Sequence, residues 1–236
     1  MQSYKRKKQI NFFLSLIYRV GKILPISPLN KFNIFSKFEW IFWRLAREQV
    51  GQLYSFDENP YSKNTINFLK KNINKEDVIL DLGCAAGLLS YLLSSHCKKV
   101  IGIDYDENQI LKAKENYKSV KNLQFKVGNI TDIFINNTER FDLVVCSHII
   151  EHIENYKSLL INLKKFTKTI FIEVPDFDSN DLNQPKKKFN IEPTFTDDDH
   201  IYEFDRDELI FFFKKNGFKI IESEFKNGVI RYVIQH

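Results

Sequence analysis

From residue 60 onward, apolar positions alternate between helical spacing and short unbroken runs. Ser62 to Lys71 has helical spacing, whereas Val78 to Leu82 is an apolar run ended by glycine, the mark of a buried strand. Ala86 to Ser95 predicts a helix and Val100 to Asp104 a second strand. Asp106 and Gln109 form a capping-box pair that opens a helix to about Tyr117. Leu123 to Val127, Phe141 to Cys146 and Thr169 to Val174 predict three more strands, with a helix from Tyr156 to Phe166 between the last two. Such alternation implies a parallel sheet covered on both faces by right-handed crossovers, a doubly wound α/β domain.

The tail changes rhythm. Asp205 and Glu208 resemble a second capping box, Leu209 to Lys215 continues the helix, and Gly217 stands where a C-terminal cap belongs. Phe218 to Phe225 and Val229 to Ile234 then read as strands joined by Lys226-Asn227-Gly228, a tight-turn signal that makes them antiparallel. The expected sheet has seven strands and ends in a reversed one.

At the other end, Ile10, Phe13, Leu14 and Ile17 fall at helical spacing, Pro25 and Pro28 interrupt, and a second aromatic run passes through Phe38, Trp40, Ile41, Trp43 and Leu45. This predicts helix, loop, helix over residues 1–58, ahead of a main domain over 59–236. Residues 1–50 hold ten Lys and Arg against two Asp and Glu, so the net charge of +5 for the 236 residues hides a basic end and a slightly acidic remainder. A basic, aromatic helical segment suits packing over the main domain, contact with anionic lipid, or a nucleic-acid patch. Lys5-Arg6-Lys7-Lys8 ahead of Ile10 to Tyr18 imitates a secretory leader, but Arg19 and Lys22 interrupt it, and neither signal nor anchor is expected. Cys84, Cys97 and Cys146 form no metal-type or disulfide spacing, which points to a reducing, cytoplasmic location, at most peripheral to the inner face of a membrane.

The chemistry concentrates after the first strand. Asp81-Leu82-Gly83-Cys84-Ala85-Ala86-Gly87 lies at the carboxyl edge, where doubly wound sheets bind ligands. A dinucleotide loop would read GxGxxG; here the glycines are four apart, and Asp81 would sit near the phosphates. A cationic ligand removes that objection. Asp104, ending the second strand, stands where a carboxylate accepts both hydroxyls of a ribose.

This arrangement resembles the class I S-adenosylmethionine-dependent methyltransferases. Asp81 to Gly87 looks like their acidic glycine-rich motif and Val100 to Asp104 like their second acidic motif, and the resemblance covers about residues 60–236 with a Rossmann-like fold. It implies S-adenosyl-L-methionine as cofactor. Gly83, Ala85 and Gly87 would line its methionine part, Asp104 would bind its ribose and Gly128, Asn129 and Ile130 would flank its adenine, with Asp81, Cys84, Tyr105 and Ser147 also in the cofactor site. Ala85 replaces a common glycine, and Asn129 replaces a common aspartate whose acceptor role an amide oxygen can keep.

Phe141 to Ile153, which contains Ser147, His148, Glu151 and His152, resembles the fourth-strand motif of the ubiquinone-biosynthesis O-methyltransferases. If the chain turns helically from His148, His148 and His152 share a face with Glu151 beside them. One histidine would take a proton from an acceptor hydroxyl. The same residues with His200, in Asp197-Asp198-Asp199-His200, offer ligands for a divalent ion. Related metal-dependent enzymes carry Glu where His148 stands, and no metal is predicted. Glu173, Pro175 and Asp176 border the expected acceptor cavity, the long loop 177–200 shapes it, and Lys186 to Lys188 read as solvated loop. The resemblance implies methyl transfer to a hydroxyl of a small molecule such as a sugar, a surface-polysaccharide precursor or a quinone, with protein and DNA disfavoured. An RNA 2′-O-methyltransferase and a non-catalytic cofactor-binding protein are the alternatives.

Overall fold

A computed structural model describes residues 11–54, 59–130, 139–193 and 195–236. Lys5 to Lys8 and the 55–58 junction therefore lie outside the described residues. In chain order the helices are α1 (Phe12–Ile23), α2 (Pro28–Leu53), α3 (Pro60–Leu69), α4 (Leu88–Ser94), α5 (Glu107–Asn116), α6 (Tyr156–Leu163), α7 (Asn183–Lys188) and α8 (Arg206–Lys215). The strands are β1 (Val78–Leu82), β2 (Lys99–Asp104), β3 (Leu123–Val127), β4 (Phe141–Ser147), β5 (Thr167–Pro175), β6 (Lys219–Lys226) and β7 (Val229–Gln235).

The sheet order is β3-β2-β1-β4-β5-β7-β6, parallel except for β7. The last strand is reversed as expected, yet it inserts between β5 and β6 and leaves β6 at the edge. Asn227 and Gly228, with φ of 57° and 74°, form the mirror-image turn that matches strand twist.

Residue alternation splits the core. Ile79, Val100, Val145 and Phe171 pack on one face against Phe68, Leu69 and Leu93. Leu80, Ile101, Val144 and Ile170 pack on the other against Leu159, Leu163, Phe212 and Phe213. Asp106 and Asp205 cap α5 and α8, each accepting from two backbone N–H groups of the first turn.

Two expectations change. Pro28 opens α2 at its first turn behind Ser27, whose hydroxyl accepts from the Asn30 N–H, because a helix needs no amide hydrogen there. The stretch 177–200 is not simply loop: it holds a short 3-10 turn and α7, and Lys186 is buried rather than solvated, its Nζ 3.1 Å from Glu39 of α2. A carboxylate from the N-terminal helices thus offsets desolvation of a lysine in the main domain.

Candidate functional site

The β1–α4 loop folds back over the end of β2. The amides of Gly83 and Cys84 donate to the Ile103 carbonyl at 2.8 and 3.1 Å. Gly83 and Gly87 have φ of +72° and +82°, and a Cβ on them would lie 2.7 Å from Ile149 Cδ1 and 2.4 Å from Phe125 Cζ respectively. Only glycine fits these two positions. Ala85 also has positive φ, 44°, and is held there by its N–H donating to Asp104 Oδ2 at 2.8 Å. Asp104 Oδ1 accepts from the Asp106 N–H at 2.9 Å, so one carboxylate clamps both loops of the edge.

Gly128 N–H donates to the Asp104 carbonyl and brings Asn129, exposed, and Ile130, buried, beside the same edge. Tyr105 points into solvent. Cys84 is buried against Gly102, and burial pushes its thiol well above the ordinary range, so it packs rather than reacts.

A cavity of about 240 Å³ opens at the carboxyl edge of β1, β4 and β5. Its lining includes Asp81, Gly83, Cys84, Ser147, His148 and Glu173, with Ser62 and Thr65 of α3 contributing from above. Asp81 is buried, and desolvation pushes its carboxyl up to about 7; the Asp104 charge adds to the rise, while hydrogen bonds from Ser90, one from its hydroxyl at 2.5 Å, oppose it. Because the folded pKa exceeds the unfolded value, the folded state binds the extra proton between about pH 4 and pH 7, and stability falls as pH rises through that window. The difference in stability between wild type and Asp81→Asn should shift across it by up to about 1.4 kcal/mol per pH unit and be flat above, as measured by denaturant unfolding at pH 5 to 8.

The segment after β4 does not turn helically from His148. His148 takes φ of +50°, its N–H continues the ladder to the Glu173 carbonyl at 2.8 Å, and only Ile150–His152 forms a 3-10 turn. His148 and His152 therefore meet different partners. The His148 ring, 43% exposed, has Nδ1 3.2 Å from Glu151 Oε1 and Nε2 3.5 Å from Glu173 Oε1. Burial lowers its pKa, but the Glu151 hydrogen bond and the charges of Glu173 and Glu151 outweigh that and the opposing Arg47, leaving it raised.

His152 turns to the Asp199 carbonyl and packs edge-on to His200, ring centroids 4.7 Å apart. The His200 side chain, 6% exposed, pairs with Glu203 at 2.9 Å. Ligand atoms of Glu151, His152 and His200 lie within 4.8 Å of one another, close enough to hold a cation, and Glu151 Oε2 has no hydrogen-bond partner among the described residues.

Beneath the cavity sits a group that periodicity does not reveal. Arg231 of β7, 1% exposed, donates through Nε to Glu173 Oε2 at 2.5 Å, and Glu173 also accepts from Thr65 and Ser147. The single signal for it is a charged residue inside the apolar run Val229-Ile-Arg-Tyr-Val-Ile. Asp176, by contrast, pairs with Arg206 and Pro175 ends β5, and neither lines the cavity.

Residues 73–204 match the family model described as "Methyltransferase domain". The ubiquinone biosynthesis O-methyltransferase of Rickettsia bellii is 30% identical over 169 residues, covering 70% of this chain and 67% of that protein. The mitochondrial protein of the same name from Dictyostelium discoideum is 31% identical over 167 residues, and the match spans 46% of its length. The magnesium protoporphyrin IX methyltransferase of Synechocystis, solved with bound SAH, superposes with a TM-score of 0.59 at 16% identity over 75% of this chain and 82% of that one. A SAM-dependent methyltransferase from Aquifex aeolicus gives 0.55 at 17%, over 71% and 87%. At such identities these two likenesses speak for the fold.

Proposed function

The chain belongs to the class I S-adenosylmethionine-dependent methyltransferases, and on that premise we propose that it methylates a hydroxyl of a small molecule, a quinone-like or sugar hydroxyl, with His148 taking the proton. One observation carries the reading: Asp81, Gly83 and His148, delivered by the ends of β1 and β4, line one cavity. The residues present fit the cofactor. Gly83 lines the cavity, the left-handed Gly83, Ala85 and Gly87 fold the loop tightly over this edge, Asp104 keeps acceptor capacity for a ribose, and Asn129 and Ile130 would flank an adenine. A ligand with a cationic end beside buried Asp81, whose carboxyl is pushed up to about 7, would favour its ionised form and be attracted to it. When bound, S-adenosylmethionine supplies the electrophilic methyl group. The names of the Rickettsia and Dictyostelium relatives support oxygen as the acceptor atom and a quinone-like substrate. Three buried free thiols support a reducing, cytoplasmic setting.

The chain's own contribution is alignment and proton removal. With Glu151 accepting from Nδ1–H, the neutral ring keeps Nε2 for the acceptor proton, a tautomer set by the 3.2 Å contact. Glu173, fixed by Arg231 and Thr65, faces the same nitrogen and stabilises the imidazolium that forms. His152, His200 and Glu203 shape the acceptor side together with residues 189–193 and 195–199.

The test is S-adenosylhomocysteine formation over a panel of catechols, quinols and nucleotide sugars, for wild type and His148→Gln. The variant should lose about 10²- to 10⁴-fold in kcat with cofactor affinity unchanged. Only neutral His148 accepts a proton and its pKa is raised, so wild-type kcat should climb with pH through a midpoint above 6.5. A variant with full activity and the same pH limb would remove His148 from the reaction.

A further inference from the structure

The N-terminal hairpin presents an apolar face that the domain does not cover. Helix α1 buries none of its residues; Phe12, Tyr18 and Ile23 are 82%, 72% and 78% exposed, and Phe13, Leu14, Leu16 and Ile17 are exposed too. Its polar residues Ser15, Arg19 and Lys22 fall on one stripe at i, i+4 and i+7, so the apolar arc is wide. Helix α2 is two-sided. One side docks on the main domain through Trp40 Nε1 to the Phe195 carbonyl at 2.8 Å, Arg44 to Asp197 and Asp198, and Glu39 to Asn180 and Lys186. The opposite side carries Ile34, Phe38 and Leu45 at i, i+4 and i+11, with Phe42 beside them, all exposed, while Ile41, exposed at the flank, also borders a cavity shared with Trp40 and Phe195. The helices cross closely where a Cβ on Gly21 would lie 2.9 Å from Phe35 Cζ, which joins the two faces into one surface.

Charge identifies the occupant. Arg19, Lys22, Lys31 and Lys37 belong to this hairpin, and Lys5 to Lys8 precede it in sequence. Of the two acids of the hairpin, Glu39 turns to Asn180 and Lys186 of the main domain, and Glu48, 55% exposed, pairs with Arg44 one turn back on the same helix. An aromatic and aliphatic surface fringed mainly by cations is the composition of an interfacial helix pair, and no helix among the described residues is long and apolar enough to cross a membrane. We propose that the outward face of the α1–α2 hairpin docks on an anionic lipid bilayer, lying in the interface plane. The surface stands independently of the methyl-transfer reading, since it shares no residue with the cavity under β1 and β4.

The experiment is co-sedimentation of the full chain with vesicles of phosphatidylcholine alone and with about 30% phosphatidylglycerol. Binding to the anionic vesicles should be at least about 10-fold tighter and should weaken in high salt. Phe13→Glu with Ile17→Glu should abolish it, with melting temperature unchanged because α1 buries nothing. Arg19→Glu with Lys22→Glu should reduce anionic binding to the neutral-vesicle level. Equal binding to both vesicles, binding to neither, or a Phe13→Glu/Ile17→Glu variant that binds like wild type would overturn the proposal. So would a dimer in sedimentation equilibrium that the same variant dissolves while wild type ignores vesicles, which would make a second copy the occupant.

Discussion

Asp104→Ala should weaken S-adenosylhomocysteine binding about 100-fold, a loss of about 2.7 kcal/mol. The carboxylate holds the Ala85 amide at 2.8 Å and the Asp106 amide at 2.9 Å, so its removal releases both loops of the cofactor edge and deletes the acceptor that a ribose would meet. Each charge-assisted hydrogen bond is worth about 1.5–3 kcal/mol, and ordering the freed loop is then charged against binding. Ala85 is the sensitive point, because its φ of 44° is unfavourable for any residue with a Cβ and persists only while the clamp holds it. Asp104→Asn, which keeps one acceptor oxygen, should fall between the two. Calorimetric titration measures this; affinity within threefold of wild type would show that Asp104 does not organise the site.

Glu173→Ala should cost about 3–5 kcal/mol of stability, the usual consequence of stranding a buried charge. Arg231 is 1% exposed and its other carboxylate partner, Glu224 at 3.1 Å, sits at the partly exposed edge strand, so it replaces little of what Glu173 supplies. Thr65 and Ser147 lose their acceptor in the same step. Glu173→Ala combined with Arg231→Met removes both charges and should recover most of the loss, which urea unfolding resolves. A single variant within 1 kcal/mol of wild type would mean that water or Glu224 satisfies Arg231. Since Glu173 raises the His148 pKa, a folded Glu173→Gln enzyme should show its rising limb at lower pH.

Local chemistry made much of this fold readable. The bounds of β1 follow from an apolar run ended by glycine and those of β3 from alternating apolar and polar residues, and the caps at Asp106 and Asp205 and the turn at Asn227-Gly228 depend on neighbours within three residues. The acidic, glycine-spaced loop at Asp81 to Gly87 and the strand end at Asp104 were legible for the same reason. What was not legible depends on contacts distant in sequence. Thr65, Glu173 and Arg231 meet across 108 and 58 positions, and Trp40 reaches Phe195 across 155. Periodicity is silent about such pairs. The left-handed turn at His148 escaped as well, because a histidine carries no glycine-like signal for positive φ. Buried Lys186 escaped for a similar reason, since its partner Glu39 lies 147 residues away.

The edge formed by Asp81 to Gly87 and Asp104 is expected to hold S-adenosylmethionine. Titration of the purified chain with S-adenosylhomocysteine, in parallel with NADH, tests it most directly. Selective binding of S-adenosylhomocysteine at about micromolar dissociation constant, about −8 kcal/mol, is the predicted result. Binding of NADH with none of S-adenosylhomocysteine would contradict the account.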